Sequence, residues 1–249
     1  MAAPTRVQST GRVTASIRDA VDLPFATPPT VGNTIVVLAS IFNTNVTSAN
    51  TTCTDNRGNP YGQVGFAKNG AVAVAVFACT APLVTGSPFT VTLHTTIVGS
   101  TFWEACALEV TGGVLAVDQM ITQTGTSTTP ATGTTAAVTG PDVFVVALHA
   151  INANQASITV QTVSPTWLEE VENLNNSATV ASESDSRSLT GVGGTTQNCS
   201  WTDATLAAYA AAIVAFQGVG AAPPPVSYVS PYGVENIRVG IIGPNPEVP

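Results

Sequence analysis

The sequence has few charged residues, and most of those it has are acidic. Only 9% of its 249 residues are charged, whereas an average soluble domain carries about 25%. Lys and Arg number 7 against 15 Asp and Glu, which gives a formal net charge of −8 at pH 7. A protein that binds nucleic acid needs basic surface to displace counterions from phosphates. We therefore expect no nucleic-acid partner.

Long apolar runs are also missing. No segment approaches the ~18–20 consecutive apolar residues that a membrane-spanning helix needs, so we expect no membrane partner. The first six residues, Met-Ala-Ala-Pro-Thr-Arg, lack the apolar core of a secretory signal. We therefore expect the chain to be made and folded in cytoplasm. Its hydrophobic content of 44% argues against intrinsic disorder.

Close pairs of metal ligands are absent from the sequence. The four cysteines form no C-x-x-C pair, and the only two histidines are His94 and His149. Structural zinc sites need such pairs, and disulfides do not persist in a reducing compartment. We predict no metal and no cofactor. We expect Cys79 and Cys106 to behave as small buried apolar side chains, because both lie in apolar, strand-like runs.

One oxygen-rich turn resembles a calcium loop in composition. Residues 55–59, Asp-Asn-Arg-Gly-Asn, place several oxygen donors close together. Their spacing is not that of an EF-hand, and no bidentate Glu follows. Because Asx turns account for the same residues without a metal, we predict a turn here.

No catalytic signature is present. The chain has no G-x-S-x-G elbow. Asp118 could pair with a histidine as acid and base, but both histidines lie in strand patterns, where a packed or rim position is expected.

A cluster of glutamates could imitate the carboxylate pair of a glycosidase. It lies in a polar, acidic stretch, residues 169–188, which we predict to face solvent. The glutamates are Glu169, Glu170 and Glu172. The tryptophans are too few and scattered for a sugar platform and are expected in the core: Trp103, Trp167 and Trp201. We predict that the protein is not an enzyme.

Strand patterns dominate the chain. Runs of six to ten apolar, β-branched or alternating residues are separated by Gly, Pro, Asn and Asp turn clusters, including the hairpin signal Asn69-Gly70. This rhythm is typical of a β-sandwich or barrel. The main runs are residues 33–42, 71–78, 89–94, 102–110, 141–151 and 157–163.

The two halves of the chain repeat this rhythm. Residues 141–151, PDVFVVALHAI, echo residues 32–42, GNTIVVLASIF. We predict a single two-sheet sandwich over residues 1–220, with residues 1–10 as an extended lead, because neither half shows enough strands to bury both its faces. Residues 122–139 are expected to form an exposed connection or edge strand.

One run leaves two alternatives. Residues 206–216, LAAYAAAIVAF, are rich in helix formers, and Thr202 or Asp203 could cap a helix. A lone helix would interrupt the strand series, so we predict a closing strand.

The C-terminal residues 221–249 differ in composition. Pro223-Pro224-Pro225 favours polyproline II and stops a strand ladder. Beyond it, residues 234–242, VENIRVGII, have the pattern of a short strand. We predict that residues 221–249 are a linker and docking arm, which binds a neighbouring subunit by adding a strand to its sheet. The predicted contact residues are Val234, Ile237, Val239, Ile241 and Ile242.

Several motifs together resemble a known family. They are VGNTIVV at 31–37, TDNRGNPY at 54–61, AVAVAVFA at 71–78, SPFTVTL at 87–93, EACALEV at 104–110, and Trp201 with residues 211–216. This order is similar to the jelly-roll modules of tailed-bacteriophage structural proteins and of some bacterial surface proteins. The resemblance spans residues 5–218. It departs from the family at residues 109–112, Glu-Val-Thr-Gly, and in the arm.

The resemblance implies a fold and a role. The fold is an all-β, jelly-roll or Greek-key two-sheet β-sandwich with an extended C-terminal arm. The role is a structural protein of the virion that decorates or cements the capsid, with the major capsid protein, other virion subunits or copies of itself as partners. The alternative is a carbohydrate- or receptor-binding module of a tail fibre or surface protein.

Overall fold

The computed structural model describes residues 3–15, 17–79, 81, 83–97, 101–174 and 180–218. Met1–Val219 form one compact unit. The described residues are all-β, with seventeen strands, one 3₁₀ turn at Ser48–Asn50 and no α-helix. The strands are β1 Arg6–Ser9, β2 Val13–Ala15, β3 Ala20–Pro24, β4 Thr34–Phe42, β5 Thr51–Asp55, β6 Tyr61–Asn69, β7 Val72–Cys79, β8 Thr90–Thr95, β9 Phe102–Val110, β10 Leu115–Ser127, β11 Ala131–Thr134, β12 Val143–Ile151, β13 Ile158–Val160, β14 Leu168–Asn173, β15 Ala181–Leu189, β16 Asn198–Asp203 and β17 Ala207–Gly218.

These strands form four antiparallel sheets. The first large sheet has the order β1-β9-β4-β7-β6, with β2 also paired to β9, and the second has the order β10-β17-β12-β15-β14. Two sheets of three strands have the orders β3-β8-β5 and β11-β16-β13. The sequence predicted two sheets. That prediction is wrong, because strands outside the predicted runs, such as β3, β5 and β16, complete a small sheet in each half.

The sheets stack in four layers around three apolar cores. The central core lies between the two large sheets and contains Leu38, Val76, Leu148 and Val214. A second core lies between the first large sheet and β3-β8-β5. A third lies between the second large sheet and β11-β16-β13. Every residue of β4, β7 and β12 is buried, because each of these strands has a core on both faces. This explains why their sequences are apolar throughout rather than alternating.

The fold is duplicated. If β1 and β2 count as one interrupted strand, each half contributes eight strands. In both halves the large sheet has the order first-eighth-third-sixth-fifth and the small sheet the order second-seventh-fourth. The echoing runs noticed in the sequence form β4 and β12, the third strand of each half. Each half is therefore a two-sheet sandwich, and the halves pack back to back through their large sheets.

Several local predictions can be compared with the structure. The strand alternative for residues 206–216 is confirmed by β17. The predicted exposed stretch 122–139 contains the end of β10 and all of β11, and each of these strands lies at the edge of its sheet. The lead at residues 1–10 includes β1, which pairs with β9. The hairpin at Asn69-Gly70 joins β6 to β7, and Gly70 has the left-handed φ of +61° that this turn requires.

The prediction that residues 169–188 face solvent is wrong. This stretch contains β14 and β15, and Glu170, Glu183 and Asp185 are all buried. β15 lies between β12 and β14. Its serines face the central core layer and its charged residues face the third core, so neither set reaches water.

Candidate functional site

The predicted docking residues lie outside the described part of the chain. They are Val234, Ile237, Val239, Ile241 and Ile242. Their role stays a prediction. The candidate sites within the described residues are a turn, two buried polar clusters, a groove and a sheet edge.

The Asx-turn interpretation of residues 55–59 is confirmed by hydrogen bonds. Asp55 Oδ1 accepts from the backbone N–H of Arg57 at 2.8 Å and of Asn59 at 3.1 Å. Asp55 Oδ2 accepts from Asn59 Nδ2 at 2.7 Å and from the Tyr61 hydroxyl at 3.0 Å. Burial and the Asp55 charge raise the pKa of Tyr61. Both carboxylate oxygens are thus occupied by donors within the turn, and the turn fixes the entry into β6.

The first polar cluster joins the two halves. Arg6 Nε of β1 lies 3.1 Å from Glu170 Oε2 of β14, and the Glu170 side chain is fully buried. The Ser186 hydroxyl donates to Glu170 Oε1 at 2.6 Å. Burial raises the pKa of Glu170, and the Ser186 hydrogen bond and Arg6 offset part of the rise. Of the other two glutamates of the predicted cluster, Glu169 is exposed and Glu172 is half-buried.

A second ion pair lies beside the first. Arg12 Nε is 3.5 Å from Glu104 Oε1 of β9, whose side chain is 1% exposed. Arg12 also donates to the backbone oxygen of Glu172 at 2.7 Å. Asn173 Nδ2 donates to the other oxygen of Glu104. The segment of β1 and β2 therefore binds the first half and also reaches the second. Arg6 pairs with the Glu170 carboxylate of β14, whereas Arg12 pairs with Glu104 of its own half and bonds to a backbone oxygen of β14.

The second polar cluster lies inside the C-terminal half, between β12, β15 and β16. His149 Nε2 is 3.3 Å from Asp203 Oδ1, and both side chains are completely buried. The His149 ring stacks on Trp201, with centroids 4.4 Å apart. Trp201 Nε1 donates to Asp185 Oδ2 at 2.9 Å. The cluster is therefore enclosed by the third core.

Two carboxyl groups of this cluster, Glu183 and Asp185, lie on the same face of β15, and both have raised pKa values. Burial, the charge of Asp185 and a hydrogen bond to it raise the pKa of Glu183 to about 9. Burial also raises the pKa of Asp185, although the Trp201 hydrogen bond opposes the rise. Both shifts favour the neutral carboxyl over the carboxylate in this buried site. Sequence reasoning did not predict this cluster. The strict alternation Ser-Glu-Ser-Asp-Ser-Arg-Ser in β15 nevertheless indicates a strand that carries its charged residues on one face.

Arg187, the basic residue of β15, lies at the edge of this cluster. Arg187 lies over the Trp167 ring, 4.2 Å from its centroid, and donates to Gln197 Oε1 at 3.0 Å. Burial lowers the pKa of Arg187. This stacking holds the guanidinium at the rim of the third core.

The histidines and Asp118 do not act together. His94 Nε2 lies 3.2 Å from the Thr54 hydroxyl on the partly open face of β3-β8-β5. The Asp118 carboxylate accepts hydrogen bonds from Thr139 and from the Gly140 N–H. Each histidine was expected in a packed or a rim position, and His149 is packed whereas His94 lies at a rim.

The tryptophans and cysteines occupy cores. Trp103, Trp167 and Trp201 are all buried, as predicted. The cysteines are all free and buried. Burial raises the pKa of each thiol: Cys53, Cys79, Cys106 and Cys199.

A shallow groove of about 240 Å³ lies on the β11-β16-β13 sheet. Its lining includes Gly133, Thr134, Gln161, Asn198 and Ser200. Amide and hydroxyl groups of this kind can exchange hydrogen bonds with a polar ligand. Gln161 Nε2 already donates to Asn198, and the Ser200 hydroxyl donates to Gln161.

Among the described strands, β10 forms the longest open sheet edge. It has thirteen residues and pairs with β17 on one side only. Pairing continues without a register shift from Gln119 to Ser127, and Asp118 is the only charged residue of the strand. Natural edge strands are usually short, charged or interrupted. The other edge of the same sheet, β14, has six residues and three glutamates.

Two further findings concern the described residues as a set. Within them, no three His, Cys, Asp or Glu side chains gather in a way that could hold a metal ion. In the same part of the chain, no helix has the length and hydropathy needed to cross a membrane.

Comparisons with protein-family models, with curated proteins and with solved structures find no match to this chain.

Proposed function

We propose that this chain is a structural protein of a bacteriophage particle. In this role it decorates or cements the capsid, and its sandwich and its arm, residues 221–249, contact the major capsid protein or other virion subunits. It has no catalytic role.

The duplicated strand order supports this proposal most directly. In our interpretation each half is a jelly roll whose fifth strand has moved to the larger sheet. The order first-eighth-third-sixth in one sheet and second-seventh-fourth in the other is the pairing expected for that fold. Viral capsid domains and lectins both use jelly rolls.

The placement of the polar groups agrees with a non-catalytic role. The acid cluster of Glu183, Asp185 and Asp203 is enclosed on all sides, so a substrate would have to unfold the C-terminal half to reach it. The Arg6–Glu170 ion pair and the hydrogen bond from Arg12 to the Glu172 backbone oxygen join the two halves to each other. These groups strengthen a rigid double sandwich, which suits a protein that reinforces a shell.

Association with particles tests the proposal. Particles from the source culture are purified on a density gradient, and the fractions are analysed by quantitative mass spectrometry and by labelling with an antibody against this chain. We expect the chain to comigrate with intact heads in a fixed ratio to the major capsid protein. Its absence from purified particles would contradict the proposal.

The groove on β11-β16-β13 favours one second candidate, a carbohydrate- or receptor-binding module. Its hydroxyl and amide side chains suit sugar hydroxyls. A glycan array probed with the full chain tests this candidate. Saturable binding that is lost in Gln161→Ala but kept in Asp22→Asn, on the other small sheet, would favour the module over the capsid role.

A further inference from the structure

We infer that the edge strand β10 is the acceptor for the C-terminal segment 234–242 of a second copy of this chain. This inference rests on the arm contact in the proposed function and names the surface that the arm binds.

The first argument is the open ladder of β10. Nine consecutive residues, Gln119–Ser127, are in register with β17, and β10 ends the sheet on its other side. Such an edge presents a row of backbone N–H and C=O groups that an added strand can pair with. The segment 234–242 also has nine residues. The lengths therefore match.

The second argument is an apolar strip along this edge. Val117 and Met120 are 39% and 46% exposed. They pair with Phe216 and Val214, whose side chains belong to the central core. Because directly paired residues point to the same face of a sheet, Val117 and Met120 extend the central core into solvent. A strand added beside β10 would cover them.

The third argument is the pattern of the segment itself. Ile237, Val239 and Ile241 alternate with Asn236, Arg238 and Gly240. In a strand, the first set would face one side and the second set the other. The added strand would therefore place an apolar face against Val117 and Met120 and a polar face toward solvent.

The path of the chain favours a second copy as the donor. β17 ends at Gly218, which pairs with Leu115 at the start of β10. To lie antiparallel on its own β10, the arm would first have to travel the length of that strand, ~43 Å for its thirteen residues. Residues 219–233 reach at most ~50 Å when fully extended, which leaves no length for turns. Beside the β10 of its own copy, the arm could therefore pair readily only as a parallel strand. Parallel pairing is less stable per residue than antiparallel pairing.

Photo-crosslinking of the full chain tests this assignment. The probe p-benzoyl-phenylalanine replaces Arg238, so that the apolar face of the segment is kept. Equal amounts of ¹⁵N-labelled and unlabelled copies are mixed at high concentration and irradiated, and crosslinked peptides are identified by mass spectrometry. We expect crosslinks between position 238 of one isotopic copy and residues 115–127 of the other.

A pair of matched variants makes the test specific to the edge. Met120→Lys places a charge on the apolar strip, where it should lower the inter-copy crosslink by about ten-fold and shift sedimentation toward the monomer. Leu206→Lys changes a side chain that is 63% exposed and precedes β17, and it should change neither readout. A melting curve for each variant checks that the fold is kept.

The other outcomes overturn the inference in distinguishable ways. Inter-copy crosslinks to another surface, or β10-to-β10 pairing, would overturn the choice of edge while the arm contact of the proposed function stands. Crosslinks confined to one copy, or none at all, would overturn the inference, whereas the proposed function fails only if the chain is absent from purified particles.

Discussion

Trp201 Nε1 donates a 2.9 Å hydrogen bond to Asp185 Oδ2, and the bond connects β16 of a small sheet to β15 of a large one. Both side chains are fully buried. The same indole stacks on His149, whose ring lies beside Asp203. The two layers of the C-terminal half are therefore held by polar contacts set inside an apolar core. Removing one partner of such a buried hydrogen bond destabilises the fold, because the other partner is left buried without a hydrogen bond.

Asp185→Ala should destabilise the protein far more than Asp185→Asn. Alanine removes the acceptor of the Trp201 N–H and leaves a cavity, for which we expect a loss of about 2–4 kcal/mol. Asparagine keeps a carbonyl oxygen for Trp201 and can donate to Glu183, so we expect a loss below about 1 kcal/mol. Urea unfolding followed by tryptophan fluorescence measures both. Equal losses would show that the hydrogen bond contributes little.

Glu183→Gln should flatten the pH dependence of stability. The folded-state pKa of Glu183 is raised from 4.5 to about 9 by burial and by Asp185. A raised pKa gives stability that is fully present below pH 4.5 and lost as the pH rises toward 9, by at most about 1.4 kcal/mol per pH unit. Asp185, with a raised pKa of its own, adds to this slope. Glu169 and Glu172 raise the pKa of Glu183 further from the neighbouring β14.

Unfolding free energies between pH 5 and pH 8 test this prediction. The unmodified chain should lose stability across that range, and Glu183→Gln should lose clearly less. Asp22→Asn, which removes an exposed carboxylate of the other half, serves as the control and should keep the original slope. A slope that is the same in all three proteins would contradict a raised pKa at Glu183.

The apolar strands show what the sequence could predict. β4, β7 and β12 are recognisable because their residues are apolar on both faces, and that composition correctly indicates strands buried on both sides. The same property hides their orientation. Val36 faces the central core and Val145 faces the third core, although both occupy the fifth place in the echoing runs. A strand that is apolar on both faces carries no signal for which face turns inward.

β15 shows what the sequence could not predict. Its composition, ASESDSRSL, is that of a surface segment, since charged residues are almost never fully buried unless paired. Its burial depends on partners far along the chain: Trp201 for Asp185, and the Arg6–Glu170 pair and Ser186 at the junction of the halves. No local pattern contains these partners. The second small sheet was missed for a similar reason, because its central strand β16, NCSWTD, carries no apolar run that would indicate a strand.

Gly65→Val should weaken the junction between the two halves. A Cβ at Gly65 would lie 3.3 Å from Val214 Cγ2, across the central core, and 3.6 Å from the Val76 side chain. The larger side chain would push β6 away from β17, for which we expect a loss of about 1–3 kcal/mol. Gly65→Ala, with a single added carbon, should cost less. Thermal melts rank the three proteins, and a valine variant as stable as the alanine variant would argue against close approach of the sheets here.

Arg6→Ala should be more destabilising than Glu170→Gln, although both break the same ion pair. Without Arg6, the carboxylate of Glu170 stays fully buried with only the neutral Ser186 and Ser9 hydroxyls as hydrogen-bond partners. Breaking a fully buried pair costs about 3–5 kcal/mol. Because the Arg6 side chain is 33% exposed, we expect a smaller loss of roughly 1–3 kcal/mol. Glutamine keeps an acceptor for Ser186, and Arg6 can turn to solvent, so Glu170→Gln should cost less than about 1 kcal/mol.

A double-mutant cycle separates this ionic contact from simple loss of packing. If the loss in Arg6→Ala comes from the stranded carboxylate, adding Glu170→Gln should restore most of the stability, and the double variant should resemble Glu170→Gln. Arg18→Ala removes an exposed arginine whose backbone, not side chain, bonds to Trp103 and Thr101, so it should have little effect. Additive losses in the cycle would mean that β1 is held by its ladder with β9 alone. Coupling of 1 kcal/mol or more, as contacting residues show, would identify the N-terminal strand as the tie between the two sandwiches.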